Sequence, residues 1–142
     1  MKKIIFLALC LLIRFGLNNQ IEKVKFDKPL AEQSISVKVD ATMYYAEAKQ
    51  CDADPLVTAG MYKINPEKAS AHKWIAMSRD LLARWGGLFH YGDKVLIEGT
   101  DGKDGIYIVA DCMNKRFTKR IDILETKGTK FYRFEGIKIT KV

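Results

Sequence analysis

The sequence predicts an all-β domain, a compact barrel or sandwich of six or seven short strands with one short helix. Apolar and polar residues alternate in several short segments, the pattern of strands with one buried face. Glycine, proline and aspartate turn signals separate these segments at close spacing. The chain of 142 residues is long enough for one such domain, over 35–142, and an N-terminal extension.

The N-terminal extension has the pattern of an export signal. Lys2 and Lys3 precede an apolar run of ten residues, Ile4–Ile13, which Arg14 ends. This run matches the hydrophobic region of a signal peptide and is short for a membrane span. We therefore predict a signal peptide or N-terminal anchor over 1–17, and export to the periplasm or cell envelope. Cleavage, lipidation at Cys10 and retention as an anchor all remain open.

A polar linker over 18–34 leads into the first predicted strand. Ile35, Val37 and Val39 alternate with polar residues, and the strand continues to Tyr45. An irregular stretch over 46–72 follows, with turn signals at Pro55, Gly60 and Pro66. Further along, we predict strands at Trp74–Met77, Asp93–Glu98, Ile106–Ala110, Arg120–Leu124 and within Phe131–Val142.

The single predicted helix lies between the second and third strands. Residues 78–84 form one or two turns, with Ser78 as a possible N-cap, and Gly86 and Gly87 end them. The glycine-rich segment 99–105 lacks the Lys-Ser/Thr of a phosphate loop and lies between two strands, which favours a hairpin turn.

Charge and motif content narrow the function classes. The net charge is +7, which suits an anionic polymer such as cell wall. There is no Lys/Arg run of the kind that binds nucleic acid, so we expect no nucleic-acid partner. The two histidines form no zinc motif, and no GxSxG motif is present. We therefore expect no metal and no cofactor.

The remaining candidates for chemistry are Asp80, Asp111 and Asp122, each at the edge of a predicted element. Asp122 lies between Ile121 and Ile123, and burial there would raise its pKa, as a general acid requires. The simpler alternative is that Asp122 points outward on an edge strand. Beyond the leader the sequence also contains Cys51 and Cys112, which are either a disulfide or two isolated thiols.

Three segments resemble the three-aspartate "3D" domain of the membrane-bound lytic transglycosylase A family and of small stationary-phase survival proteins. They are Thr58-Ala59-Gly60, then Trp74–Asp80 with Tyr91–Gly99, and Ile108–Ile123 with its eleven-residue step from Asp111 to Asp122. Two departures stand out. Cys112 replaces a common threonine, and residues 81–90 lengthen a link that is usually short.

The resemblance implies a six-stranded double-psi β-barrel with one short helix. Asp122 would be the catalytic acid and base, with Asp80 and Asp111 lining the same cleft. Thr58, Gly60, Lys63 and Tyr45 would contact the sugar.

The implied activity is that of a peptidoglycan lytic transglycosylase, which yields 1,6-anhydro-muramic acid ends. It would act on glycan strands as a monomer, and would meet a membrane only through the leader. Two alternatives remain: a muramidase-type hydrolase on the same barrel, and a non-catalytic wall-binding module.

Overall fold

A closed barrel of six strands forms within the residues that the computed structural model describes, 34–47 and 54–142. The strands are β1 (Ser36–Tyr44), β2 (Trp74–Met77), β3 (Lys94–Glu98), β4 (Gly105–Cys112), β5 (Arg120–Leu124) and β6 (Phe134–Lys141). Around the barrel they run β1-β5-β2-β4-β3-β6. The expected all-β class and closed six-stranded barrel are confirmed, and residues 34–142 form one compact unit.

The strand order brings distant parts of the chain side by side. β1 pairs in parallel with β5, and β2 pairs in parallel with β4. β5 also pairs antiparallel with β2, so it lies between two strands that precede it by some forty residues or more. The consequence is a continuous surface made of β1, β5, β2 and β4.

Every second side chain along the strands points inward, and these apolar side chains fill the barrel interior. In β5, Ile121 and Ile123 are fully or almost fully buried, at 0% and 2% exposure, whereas Asp122 between them faces the other side of the sheet. Each such buried aliphatic side chain contributes roughly 1.5–3 kcal/mol to folding. The interior contains Val39, Ala41, Ile75, Met77, Leu81, Leu82, Phe89, Val95, Ile97, Tyr107, Val109, Ile121, Ile123, Ile137 and Ile139.

The helical segment predicted at 78–84 consists of two single-turn 3-10 helices, Arg79–Leu81 and Ala83–Trp85. Leu82 between them is extended and 1% exposed, because its side chain belongs to the core. The Ser78 hydroxyl does not cap the helix. It accepts a hydrogen bond of 3.1 Å from the Arg120 N–H.

A further 3-10 helix, Pro66–His72, lies in the stretch that the sequence predicted as irregular. Its start follows ordinary capping rules, because the Asn65 side chain accepts from the Glu67 N–H and Pro66 occupies the first turn. No helix within 34–47 and 54–142 is both long and apolar enough to cross a membrane. The predictions for the leader at 1–17 and for residues 18–33 lie outside the described residues.

Candidate active site

A cavity of about 360 Å³ opens on the outer face of the four-strand surface. Its walls combine carboxylates, guanidinium groups and aromatic rings. It is lined by Tyr44, Asp54, Pro55, Val57, Ala59, Ala76, Arg79, Asp111, Cys112, Met113, Asn114, Arg116, Phe117 and Asp122. Two of the three predicted aspartates, Asp111 and Asp122, are therefore in one cavity.

The strand register places four residues in one row, and three of them, Ala76, Asp111 and Asp122, line the cavity. Asp122 pairs with Thr42 on β1 and with Ala76 on β2, and Ala76 pairs with Asp111 on β4. Residues directly opposite one another share a face of a sheet, so both carboxyl groups flank the small side chain of Ala76. Two strand spacings separate the Cα atoms of the two aspartates by about 10 Å.

A β-bulge in β4 sets the direction of Asp111. Ile75 pairs with Val109, but Ala76 pairs with Asp111, so Ala110 is an extra residue on β4. Val109 is buried in the core, and regular alternation would turn Asp111 inward as well. The bulge turns Asp111 onto the outer face instead, a known use of bulges beside functional sites.

The turn at 58–62 docks onto this bulge. The Gly60 N–H donates to the Ala110 carbonyl at 2.9 Å, and the Ala59 N–H donates to Oδ1 of Asp111 at 2.8 Å. A Cβ at Gly60 would lie 2.7 Å from the Ala110 oxygen, closer than real contacts allow. Glycine is therefore required there by close backbone approach.

Asp111 makes further hydrogen bonds that hold its carboxylate in place. Its Oδ1 also accepts from the Cys112 N–H at 2.8 Å, and its Oδ2 accepts from the Tyr44 hydroxyl at 3.4 Å. The carboxylate thus links the turn at 58–62 to β4 and β1.

Asp122 has a different environment. Burial raises the pKa of Asp122, because the ionised form loses hydration. A hydrogen bond from the Thr42 hydroxyl to Oδ1 and the positive charge of Arg120 oppose this effect without cancelling it. The carboxyl group thus keeps its proton to a higher pH than an exposed aspartate, which is the property of a general acid.

Two arginines and an aromatic ring complete the cavity and were missed in the sequence. The Arg116 guanidinium lies 4.8 Å from the centre of the Phe117 ring, and both residues line the cavity. Arg79 also lines the cavity, and its guanidinium lies 5.0 Å from the centre of the Trp85 ring. The adjacency of Arg116 and Phe117 in the sequence was an available signal, whereas the contact of Arg79 with Trp85 depends on the two 3-10 turns.

Asp80, the third predicted aspartate, is not among the residues that line the cavity. It is exposed, and its Oδ2 accepts from the Lys119 N–H at 3.0 Å. Lys119 has a φ of +46°, an uncommon backbone conformation for a residue with a side chain. The hydrogen bond explains Asp80 as a support of the turn that leads into β5.

None of the four predicted sugar contacts, Thr58, Gly60, Lys63 and Tyr45, is among the residues that line the cavity. The Thr58 side chain is buried and its Oγ1 accepts from the Tyr62 N–H at 3.1 Å. Lys63 is exposed, and its backbone pairs with that of Val57 in an isolated antiparallel β-bridge. The Tyr45 hydroxyl donates to the Thr129 carbonyl. Contact of these residues with a sugar stays a prediction.

Cys112 lines the cavity as a half-buried free thiol. Its suggested disulfide partner, Cys51, lies outside the described residues. Burial and a hydrogen bond with Cys112 raise the pKa of the neighbouring Tyr91, so that phenol stays protonated. Within the described part of the chain, no three His, Cys, Asp or Glu side chains are grouped to hold a metal ion.

Comparisons with known proteins add no assignment. No protein-family model matches the chain, and no curated protein sequence matches it either.

Proposed function

We propose that this domain is a peptidoglycan lytic transglycosylase that uses Asp122 as its acid and base. The observation that carries the proposal is the half-buried Asp122 carboxyl, which lines a polar cavity and whose pKa is raised by loss of hydration. A carboxyl group that keeps its proton to a higher pH than an exposed aspartate is better suited to donate that proton to a glycosidic oxygen. The proposal also requires export, which the predicted leader would supply.

The reaction needs one carboxyl group. Asp122 protonates the oxygen that joins N-acetylmuramic acid to N-acetylglucosamine, and the C1–O bond breaks. The C6 hydroxyl of the same muramic acid forms a new bond to C1 and returns its proton to Asp122. The attack is intramolecular and gains from a high effective molarity, so no water has to be activated.

The geometry of Asp111 favours this single-acid reaction over a two-carboxylate hydrolysis. In a hydrolase the second carboxylate activates water or attacks the sugar. Here Oδ1 of Asp111 accepts two backbone N–H groups and Oδ2 accepts the Tyr44 hydroxyl. The two backbone bonds hold Oδ1 on the turn at 58–62 and on β4, so this oxygen has a structural task that a water-activating carboxylate would not need.

The rest of the cavity suits a short stretch of a polar polymer. Its volume of about 360 Å³ is near the lower end for small-molecule sites and fits one or two sugar rings. Asn114 offers an amide for the hydroxyl groups of a sugar. The excess of positive charge on the chain favours approach to an anionic wall.

The test is a digest of purified peptidoglycan by the full-length chain, with the products identified by mass spectrometry. Anhydro-muropeptides support the proposal. Products with reducing ends would indicate a muramidase, and intact sacculi that pellet the protein would indicate a binding module.

Two variants make the digest specific. Asp122→Asn should lower the rate by about 100-fold or more, since general acid catalysis contributes about that much. Asp80→Asn is the control, because Asp80 lies outside the cavity lining, and we expect its rate within a few-fold of the parent. Undiminished cleavage by Asp122→Asn would contradict the assigned role.

A further inference from the structure

The segment Leu81–His90, the departure from the 3D pattern, forms a rigid platform beside the cavity. The Leu81 carbonyl accepts from the N–H groups of Leu88 and Phe89 at 2.9 and 3.0 Å. Phe89 is 0% exposed and anchors the segment in the core. A Cβ at Gly87 would lie 2.1 Å from the Leu81 carbonyl carbon, so the backbone packs too closely there for a side chain.

Two arginines contact the ring of Trp85, which belongs to this platform. The guanidinium groups of Arg79 and Arg84 lie 5.0 and 5.3 Å from the centre of its ring. Of these two, Arg79 is the one that lines the cavity. Stacking uses the flat face of a guanidinium and leaves its N–H edges available to a ligand.

Apart from the Trp85 ring, Arg79 has no ion-pair partner among the described residues that would explain its position. None of the described carboxylates forms an ion pair with it, and its buried Nε has no hydrogen-bond partner among the described residues. Since Nε is buried, a ligand in the cavity would be bound through the terminal amino groups of the Arg79 guanidinium. The contact with the Trp85 ring holds Arg79 at the cavity.

We propose that Arg79, positioned by Trp85, binds a carboxylate of the glycan substrate. The planar fork of a guanidinium matches a carboxylate through two parallel N–H···O bonds. This inference rests on the proposed function and specifies the substrate as a carboxylate-bearing glycan. The carboxylate belongs either to the lactyl group of muramic acid freed of its peptide or to the stem peptide.

Binding can be measured without turnover by calorimetry on the full-length chain that carries Asp122→Asn. The probes are a peptide-free tetrasaccharide of alternating N-acetylglucosamine and N-acetylmuramic acid, the same sugar with stem peptides, and neutral chitotetraose. We expect about 10- to 100-fold tighter binding of a carboxylate-bearing probe than of chitotetraose, the usual size of a charge-assisted pair. Preference for the peptide-free sugar alone assigns the lactyl group, and preference for the stem-bearing sugar assigns the peptide.

Variants on the same background assign the effect to a residue. Arg79→Gln should abolish the preference, Arg79→Lys should keep part of it, and Trp85→Leu should weaken it by loosening Arg79. Arg84→Gln is the matched control, because it removes the same charge from the same ring without touching the cavity lining. Thermal unfolding of each variant verifies that it is folded, and Arg79→Lys keeps the test valid if Arg79→Gln is not.

Three outcomes would overturn the inference. Equal affinity for charged and neutral sugars overturns it while leaving the proposed function intact. An equal loss of preference in Arg84→Gln and Arg79→Gln shows general charge attraction and not a site. Failure of all three sugars to bind overturns this inference and the proposed function together.

Discussion

At the scale of single residues, two opposed effects decide the protonation of Asp122. Loss of hydration favours the neutral acid, while the Thr42 hydroxyl and Arg120 favour the carboxylate, and the balance leaves the pKa raised. The loss of hydration dominates for this half-buried carboxyl, which lies on β5 between its neighbours Thr42 on β1 and Ala76 on β2.

The raised pKa of Asp122 has a cost for folding that can be measured. The unfolded chain ionises this group at about pH 3.9, but the folded chain ionises it at higher pH. The cost is therefore absent below the unfolded pKa, grows as pH rises through the folded pKa and is complete above it. We expect Asp122→Asn to raise the melting temperature at pH 7 relative to the parent, with the difference disappearing near pH 3.

Calorimetric melting curves across this pH range check the prediction. Asp101→Asn is a suitable control, because Asp101 is exposed in the hairpin turn and its substitution should change stability little at either pH. A destabilised Asp122→Asn at pH 7 would mean that the carboxylate, and not the acid, is the favoured form.

Thr42 provides a second test at the residue scale. Its hydroxyl donates to the Asp122 carboxyl and favours the ionised form, so Thr42→Val should raise the pKa of Asp122 further. The alkaline limb of the pH profile of kcat/KM, where the acid loses its proton, should then move to higher pH. Thr42→Ser keeps the hydroxyl and should keep the parental profile. A shift of the limb to lower pH in Thr42→Val would contradict the role of this hydroxyl.

The apolar neighbours of Asp122 were visible in the sequence, and in the structure the carboxyl between them is half-buried with a raised pKa. Its role as a general acid stays a prediction. The row of Thr42, Ala76 and Asp111 beside it was not accessible, because it depends on strand pairing between segments far apart in the chain.

At the scale of elements, the strands could be predicted from the sequence, but the β-bulge that turns Asp111 towards the cavity could not. The bounds of β2 and β5 agree with their apolar patterns residue for residue. The bulge at Ala110 has no signature in the sequence of β4, since it is defined by the register with β2. The 3-10 form of the turns after Ser78 likewise follows from the packing of Leu82 in the core.

The contact between the turn at 58–62 and the bulge predicts the effect of Gly60→Ala. The added Cβ would lie 2.7 Å from the Ala110 oxygen and 2.9 Å from Cε2 of Tyr62, so the turn must shift. We expect a loss of about 1–3 kcal/mol in the free energy of unfolding and at least a tenfold loss of activity, as the turn leaves Asp111.

Gly102→Ala is the control for that variant. Gly102 has a φ of +81° and nothing within 4 Å of an added Cβ, so alanine there costs about 1 kcal/mol of backbone strain without touching the cavity. Urea denaturation and the peptidoglycan digest separate the two effects. If Gly60→Ala loses only as much activity as Gly102→Ala, the turn does not organise the site.

At the scale of the whole molecule, a buried carboxylate joins three segments on a part of the barrel distinct from the cavity lining. Glu125 follows β5, and its side chain is 4% exposed. Its oxygens accept from Lys103 Nζ at 2.6 Å, Ser70 Oγ at 2.5 Å and the Tyr132 hydroxyl at 2.7 Å. These donors come from the hairpin between β3 and β4, the 3-10 helix at Pro66–His72 and the segment before β6.

Glu125 therefore predicts how the stability of the whole barrel depends on pH. Burial alone would raise its pKa, but the hydrogen bonds from Lys103, Ser70 and Tyr132 outweigh burial and hold the pKa below its usual range. The stabilisation is complete above the unfolded pKa of about 4.3 and is lost as pH falls through the lower, folded value. We expect Glu125→Gln to lower the free energy of unfolding at pH 7 by about 3 kcal/mol, since it breaks a buried ion pair.

The matched comparison is Glu98→Gln, which breaks the exposed pair between Glu98 and Lys138 at 3.0 Å. An exposed pair contributes at most about 1 kcal/mol, so the two glutamates should differ clearly in urea denaturation at pH 7. The deficit of Glu125→Gln should shrink as pH falls below the unfolded pKa of about 4.3 and through the lower folded value. A deficit that stays constant with pH would mean that shape and neutral hydrogen bonds, and not the carboxylate, hold these three segments on the barrel.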